Sequence, residues 1–385
     1  MNLLLKNVRA VLPNSIERCD VHILDGRITA IAPHIMPCKG GEVRDCDGAL
    51  LMPGFIDSHI HGGLSQYFMN PASDLGAITE HYARCGTTSI APTFSARPYE
   101  MFEAAARHVV GFCRTPYRGA KIAGIHAEGP FLSTERPGGM PTEYFAKPTV
   151  EQLDKMITEC DGLLRILTLA PEVEGALDVI AYAVQRGIAV SAGHTNATYD
   201  EMKAAINAGL TRMTHAFNAS RPINHREPGV LMAAFDDKRV NCEAICDFGH
   251  LHPSTVNMIY QLKGADGFTA VSDCSDRRGY TEPGEGEHVT ADGVPYTVWH
   301  GVAWSQSGGV IGCGNNLAVG VRNLHSLGIP LTEVAVMASA NPAKALGIFE
   351  KTGSIEIGKA ADLVLLDDRL TVLSTFVDGK EYEGE

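Results

Sequence analysis

Apolar and polar positions follow two rhythms along this chain. Near both ends, short segments are punctuated by tight turns: Leu3-Leu4-Leu5, Val8 to Leu12, Val21 to Leu24 before Asp25-Gly26, then Ile28 to Ile31, and later Leu363 to Leu366 and a turn at Asp378-Gly379. Near-alternation broken by Asp-Gly predicts β-hairpins. Residues 1–52 and 348–385 are therefore expected to form one small β domain, a sandwich assembled from both chain ends.

Between them the rhythm lengthens. Apolar runs of strand length end near His59, Thr93, Glu128, Leu169, His194, His215, Asp247 and Asp273, and helical patterns cover 74–85, 99–113, 150–159, 176–186 and 199–208. Strands alternating with helices predict a parallel sheet, and eight such units predict an α/β fold of the (β/α)8 TIM-barrel type over residues 53–347. In that fold, polar residues at the C-terminal ends of strands carry the chemistry.

Composition narrows the class. A chain of 385 residues, 45% hydrophobic and 20% charged, has ample material for one large core and a smaller one. Its net charge of −13 leaves no basic stripe for phosphate backbones, so nucleic acid is excluded as a partner while a small anion is not. The ten cysteines lack Cys-x-x-Cys spacing and read as reduced thiols. No apolar run approaches the length needed to span a bilayer, and the first residues lack the pattern of a signal peptide. The expectation is a cytoplasmic protein with no membrane partner.

Candidate chemistry starts at Asp57-Ser58-His59-Ile60-His61-Gly62, where two imidazoles two residues apart share one face of a strand. His-x-His alone is weak evidence, since two polar residues at a strand end would look the same. Further along, Gly124-Ile125-His126-Ala127-Glu128 brings a carboxylate to the third strand end, Gly193-His194 an imidazole to the fifth, and Thr214-His215 another to the sixth. Together Glu128, His194 and His215 form a His₂Glu set with room for water, as a hydrolytic metal requires. His59 and His61 can complete a second position sharing Glu128. His126, on the same face, reads equally as a site residue or a structural one.

The eighth strand delivers Asp273, a carboxylate able to take a proton from an acidified water and return it to a leaving group. Two alternatives stand beside that role: Asp273 as a further ligand, or Asp276 as the proton acceptor. One or two divalent ions fit the donors; zinc suits His/Glu ligation, and Fe, Mn, Co or Ni accept the same set. Dinucleotide, Walker and Gly-x-Ser-x-Gly motifs are missing, which excludes nucleotide-dependent and serine-hydrolase chemistry.

With these residues identified, the chain resembles the amidohydrolase superfamily and, within it, the N-acetylglucosamine-6-phosphate deacetylase family. The resemblance runs through PGFIDSHIHGG, GIHAEGPFL, LAPE, SAGHTNATY, THAFNAS with INHREPG, DFGHLHP, VSDCSD, ASANPAKALG and GKAADLVLLD. It implies Glu128, His194 and His215 as metal ligands, His59 and His61 at an additional position that only some members fill, and Asp273 as proton shuttle. It further implies substrate contacts at Asn218, Ala219 and His250, an amino-sugar phosphate as substrate, and a homodimer in which Arg226 reaches the neighbouring active site. The guanidinium of Arg226 suits a phosphate on its own chemistry.

Departures from the family pattern cluster around the sugar. Pro137-Gly138-Gly139-Met140 stands where relatives carry Gly-Ala-His; Phe248 follows Asp247 in place of glycine, Ser272 and Cys274 flank Asp273, and Asn315-Asn316 replaces a Gly-Ser pair. The reading is deacetylation of N-acetylglucosamine-6-phosphate, with an epimeric acetamido sugar such as N-acetylgalactosamine-6-phosphate, or another small amide, as alternative substrates. A non-catalytic assembly protein is the remaining possibility, and the full ligand set with Asp273 argues against it.

Overall fold

The structure, a computed structural model, describes residues 2–275, 284–289, 293–306 and 308–384. Eight parallel strands form the barrel: β1 (Phe55–Ile60), β2 (Thr87–Ser95), β3 (Ile125–Glu128), β4 (Leu164–Leu169), β5 (Ala189–Ala192), β6 (Arg212–Met213), β7 (Asn241–Ile245) and β8 (Phe268–Val271). Each pairs with the next in sequence order, with Lys121–Ile122 added beside β2. The seam between β8 and β1 is closed by a parallel bridge from Ile60 to Cys274, with Asp273 N–H donating to His59 O at 3.0 Å and His61 N–H to Cys274 O at 2.9 Å. Every residue of β1 is buried, as expected of a strand covered on both faces.

Helices fill the returns at Leu75–Arg84, Tyr99–Cys113, Val150–Glu159, Ala176–Gln185 and Tyr199–Ala208, within a residue of the expected spans. Local signals account for such limits. Thr198 and Glu201 form a reciprocal capping box at the start of Tyr199–Ala208, and Gly209, at φ +113°, supplies the left-handed residue that ends it.

The two chain ends meet in one sheet. Leu363–Leu366 pairs antiparallel with Leu50–Pro53, which lies parallel to Asn2–Val11, and the path continues through Ile16–Leu24 to Arg27–Ala32. Period-two alternation divides their side chains between two cores. Leu51, Leu363 and Leu365 join Leu5, Val21 and Phe376 in the core of this sheet, whereas Leu50, Met52, Val364 and Leu366 face the barrel's helices. The sheet is thereby fixed to the barrel by burial on its second face.

One element lies outside the expected pattern. Between β8 and the helix Leu317–Ser326, an antiparallel sheet is inserted, built from Gly286–Val289, Pro295–Trp299, Val302–Ser305 and Val310–Cys313. Its strands bury little; Tyr296, Val298 and Ala303 form their own small cluster. Asp276, the alternative proton acceptor, lies outside the described residues.

Candidate metal centre

The strand ends bring six of the predicted residues to one point. Glu128, 1% exposed at the end of β3, sits at the centre. Its Oε1 lies 3.0 Å from Nε2 of His194 and 3.0 Å from Nε2 of His215, and those two nitrogens are 3.1 Å apart. On its other side, Nε2 of His61 is 3.3 Å from Oε2, and Nε2 of His59 is 3.5 Å from Oε1. Asp273 Oδ1 closes the ring at 3.1 Å from His61 Nε2 and 3.4 Å from His59 Nε2.

Backbone geometry turns these side chains inward. His194, His215 and Asp273 follow their strands with φ of +47°, +25° and +49°, a region that L-residues enter at a cost and that recurs where function over-determines the chain. Gly193 makes the first of these bends possible. A Cβ there would lie 2.7 Å from Thr168 Cγ2 and 2.7 Å from Thr214 Cβ.

Outer contacts orient the rings. Nδ1 of His194 faces the Pro137 carbonyl at 3.2 Å, and Nδ1 of His59 faces Oε2 of Glu243 at 3.2 Å. Glu243 is held in turn by the Arg212 guanidinium at 2.7 Å. Donation from each Nδ1–H assigns the Nε2 lone pair to the cluster, as metal-bound histidines require. Acceptor then faces acceptor between Glu128 and His194, while Nδ1 of His215 has no hydrogen-bond partner. Glu128 Oε2 and His59 Nε2 are buried with no hydrogen-bond partner. Such an arrangement is costly by itself and is what a divalent cation resolves, so the donor set fits one ion at Glu128, His194 and His215 and another at His59, His61 and Glu128.

Electrostatics make the same demand for positive charge. Burial disfavours charge on His61, but the facing carboxylates of Asp273 and Glu128 overcome it and raise its pKa to about 9. Burial likewise opposes ionisation of Asp273 and Glu128, yet His59 and its neighbours hold both carboxyls below their usual range. His126 behaves differently. Burial pushes its pKa down to about 3, and its nitrogens contact Ser58 O at 3.1 Å and Thr168 Oγ1 at 2.8 Å, which makes it a neutral structural residue below the cluster.

The remaining predicted residues are distributed around the rim. Asn218 follows His215, donating its N–H to His215 O at 2.9 Å, and its side-chain Nδ2 has no partner. Ala219 lies beside it, its Cβ near the point a Cβ on Gly138 would occupy, next to His194. His250 hydrogen-bonds Asp247 Oδ2 through Nδ1 at 2.8 Å; burial opposes its protonation, but Asp247 outweighs burial and raises the pKa. Arg226 is exposed and forms no ion pair among the described residues, so the chain does not bring it into the cluster.

Two features escaped the sequence reading. Glu243 is a carboxylate within the otherwise apolar Cys242–Ile245 run, and that misfit was its only signal. The inserted sheet is the other: it brings Trp304 to 6.3 Å from the His250 ring, and Asn315 bonds Asp247 Oδ2 at 3.3 Å and His300 O at 2.6 Å.

Comparison with known proteins places this geometry. The amidohydrolase family matches residues 50–382. The N-acetylglucosamine-6-phosphate deacetylase of Vibrio furnissii is 33% identical over 86% of this chain and 82% of its own length. The N-acetylgalactosamine-6-phosphate deacetylase of Escherichia coli O157:H7 is also 33% identical, over 94% of this chain and 93% of its own. Among solved structures, the N-acetylglucosamine-6-phosphate deacetylase from Pasteurella multocida superposes with a TM-score of 0.89 at 29% identity, covering 100% of both chains.

Proposed function

The chain belongs to the amidohydrolase family, in its N-acetylglucosamine-6-phosphate deacetylase branch, and we propose that it hydrolyses the N-acetyl group of N-acetylglucosamine-6-phosphate to glucosamine-6-phosphate and acetate. The observation that carries this reading is the convergence of four histidines and Asp273 on Glu128. Glu128, His194 and His215 would hold one divalent ion, and His59 and His61 with Glu128 would offer donors to a second. Zinc suits these donors. When bound, such an ion supplies Lewis acidity, acidifying water and polarising a carbonyl.

The chain's own residues do the rest. Asp273, ionised and at the mouth of the cluster, takes the proton of the attacking water and returns it to the departing nitrogen. Asp247 favours the protonated form of His250 against burial, and that form offers a ring donor to the acetamide oxygen as charge develops there. The free Nδ2 of Asn218 and the backbone at Ala219 meet the sugar. Arg226, which forms no ion pair among the described residues, reaches the phosphate bound by the neighbouring subunit of a homodimer. We place the protein in the cytoplasm, where ten cysteines, none in a disulfide among the described residues, would stay reduced; among the described residues no helix is long and apolar enough to cross a membrane.

The galacto epimer is the second reading. Equal identity to relatives named for each epimer, and the changes at Met140, Phe248 and Asn315 around the pocket, favour keeping it. Acetate release by metal-loaded protein from the two 6-phosphates and from unphosphorylated N-acetylglucosamine separates these readings. Turnover of the gluco phosphate at least tenfold above the other two is expected. Preference for the galacto phosphate would shift the substrate, and failure on both phosphates would remove the assignment.

A further inference from the structure

The opposite end of the barrel holds a second concavity. It opens at the N-terminal ends of β5, β6 and β7, where Ala189, Arg212 and Asn241 begin their strands, and encloses about 550 Å³. That volume falls in the range of small-molecule sites. Its charged lining is Arg165, Arg212, Arg239 and Lys344 against one carboxylate, Asp266. In a protein with 45 acidic and 32 basic residues, such a concentration of cations runs against the global balance.

These cations differ in how far they are already neutralised. Arg239 is held by Asp237 at 2.7 Å, and one arm of Arg212 by Glu243 at 2.7 Å. Arg165 and Lys344 form no ion pair among the described residues, Lys344 resting only over the Phe349 ring at 5.2 Å. Arg212 supplies the independent sign of a ligand. It is 4% exposed, it lines the cavity, and its Nε–H has no protein acceptor. A buried charged donor left unmatched is destabilising, and an oxyanion in the cavity would satisfy it.

We propose that this N-terminal cavity binds a small phosphate ester of a polyol, the phosphate seated between Arg165, Lys344 and the Nε–H of Arg212, and a hydroxyl meeting Asp266. The site is separate from the metal centre and does not depend on the deacetylase reading. It touches that centre indirectly, since the Arg212 arm that does not face the ligand holds Glu243, and Glu243 holds His59.

Isothermal titration of the metal-loaded protein with inorganic phosphate and with sorbitol-6-phosphate tests the proposal. The wild type is compared with the double variant Arg165→Glu, Lys344→Glu. The proposal predicts tighter binding of the ester than of phosphate, a loss of at least tenfold in ester affinity for one site in the variant, and kcat and KM measured without added anion unchanged. A wild-type crystal soaked in tungstate, a heavy phosphate mimic, should show the ion beside Arg165 and Lys344, which decides the matter even if the variant fails to fold. Ester affinity within twofold in the variant, or tungstate bound only elsewhere, would overturn it.

Discussion

Both the metal rim and the sheet of the two chain ends contain residues with left-handed backbone, but for different reasons. In the terminal sheet three of these, Asp25, Asp47 and Asp378, are each followed by glycine in a tight turn, where Asp tolerates positive φ at little cost, and Asn7 and Leu370 are two more. At the rim they include His194, His215, Phe217, Ala219, Phe248 and Asp273, none of which closes an Asp-Gly or Asn-Gly hairpin turn. The rim also leaves Glu128 Oε2, His59 Nε2 and Asn218 Nδ2 buried without partners, whereas the terminal sheet packs Leu5, Val21, Leu51 and Phe376 in an apolar cluster and, among the described residues, leaves Thr375 Oγ1 as its one such buried side-chain atom. One region is arranged for cohesion and the other holds strain and unmet polar demand that a bound ion and substrate relieve.

The contrast breaks most readily at its centre. Glu128→Gln removes the shared charge from both ion positions, and a fall in kcat of three orders of magnitude or more with loss of bound metal is expected, read by steady-state rates and elemental analysis. Glu243→Gln weakens the hold on His59 without replacing an ion ligand; metal affinity should drop about 10–100-fold in a chelator competition. If Glu243→Gln leaves affinity unchanged, the orienting role of the carboxylate is wrong.

In the terminal sheet the expected signs reverse. Leu5 is fully buried, and Leu5→Ala should cost about 2–5 kcal/mol in denaturant unfolding while kcat at 25 °C stays within twofold. A smaller effect comes from pH. His61 has an ordinary pKa of 6.5 and a folded, metal-free value of about 9, so its proton contributes stability fully present below 6.5 and lost as pH rises through 9. Metal-free protein should therefore lose stability over that window, and metal affinity should rise over the same window as the proton ceases to compete. Opposite slopes would contradict the account of the cluster.

Much of this organisation was legible in the chain. The strand and helix rhythm located the barrel because β1 to β8 are short apolar runs with glycine or polar stops, and the helices at 99–113 and 150–159 begin and end where expected. The candidate metal donors were legible because they close four strands, His59 and His61 sharing the end of β1, so their convergence follows from barrel order. Glu243 and Arg212 were not singled out, since a paired acid and base inside neighbouring strands produce no motif. The inserted sheet escaped for a related reason: with Tyr296, Val298 and Ala303 as its only buried apolar cluster among the described residues, it leaves a weak pattern. His126 was ambiguous in sequence, and only its contacts with Ser58 and Thr168 make it structural.

Asp273 offers the most direct test of the division between rim and terminal sheet. Asp273→Asn keeps size and shape while removing the proton acceptor, and metal content, unfolding midpoint and kcat for acetate release can be measured on one preparation. The account predicts kcat lowered by about three orders of magnitude or more, with metal content retained and an unfolding midpoint equal to or above that of the wild type. Near-normal turnover, or a loss of activity that merely follows a loss of stability, would contradict it.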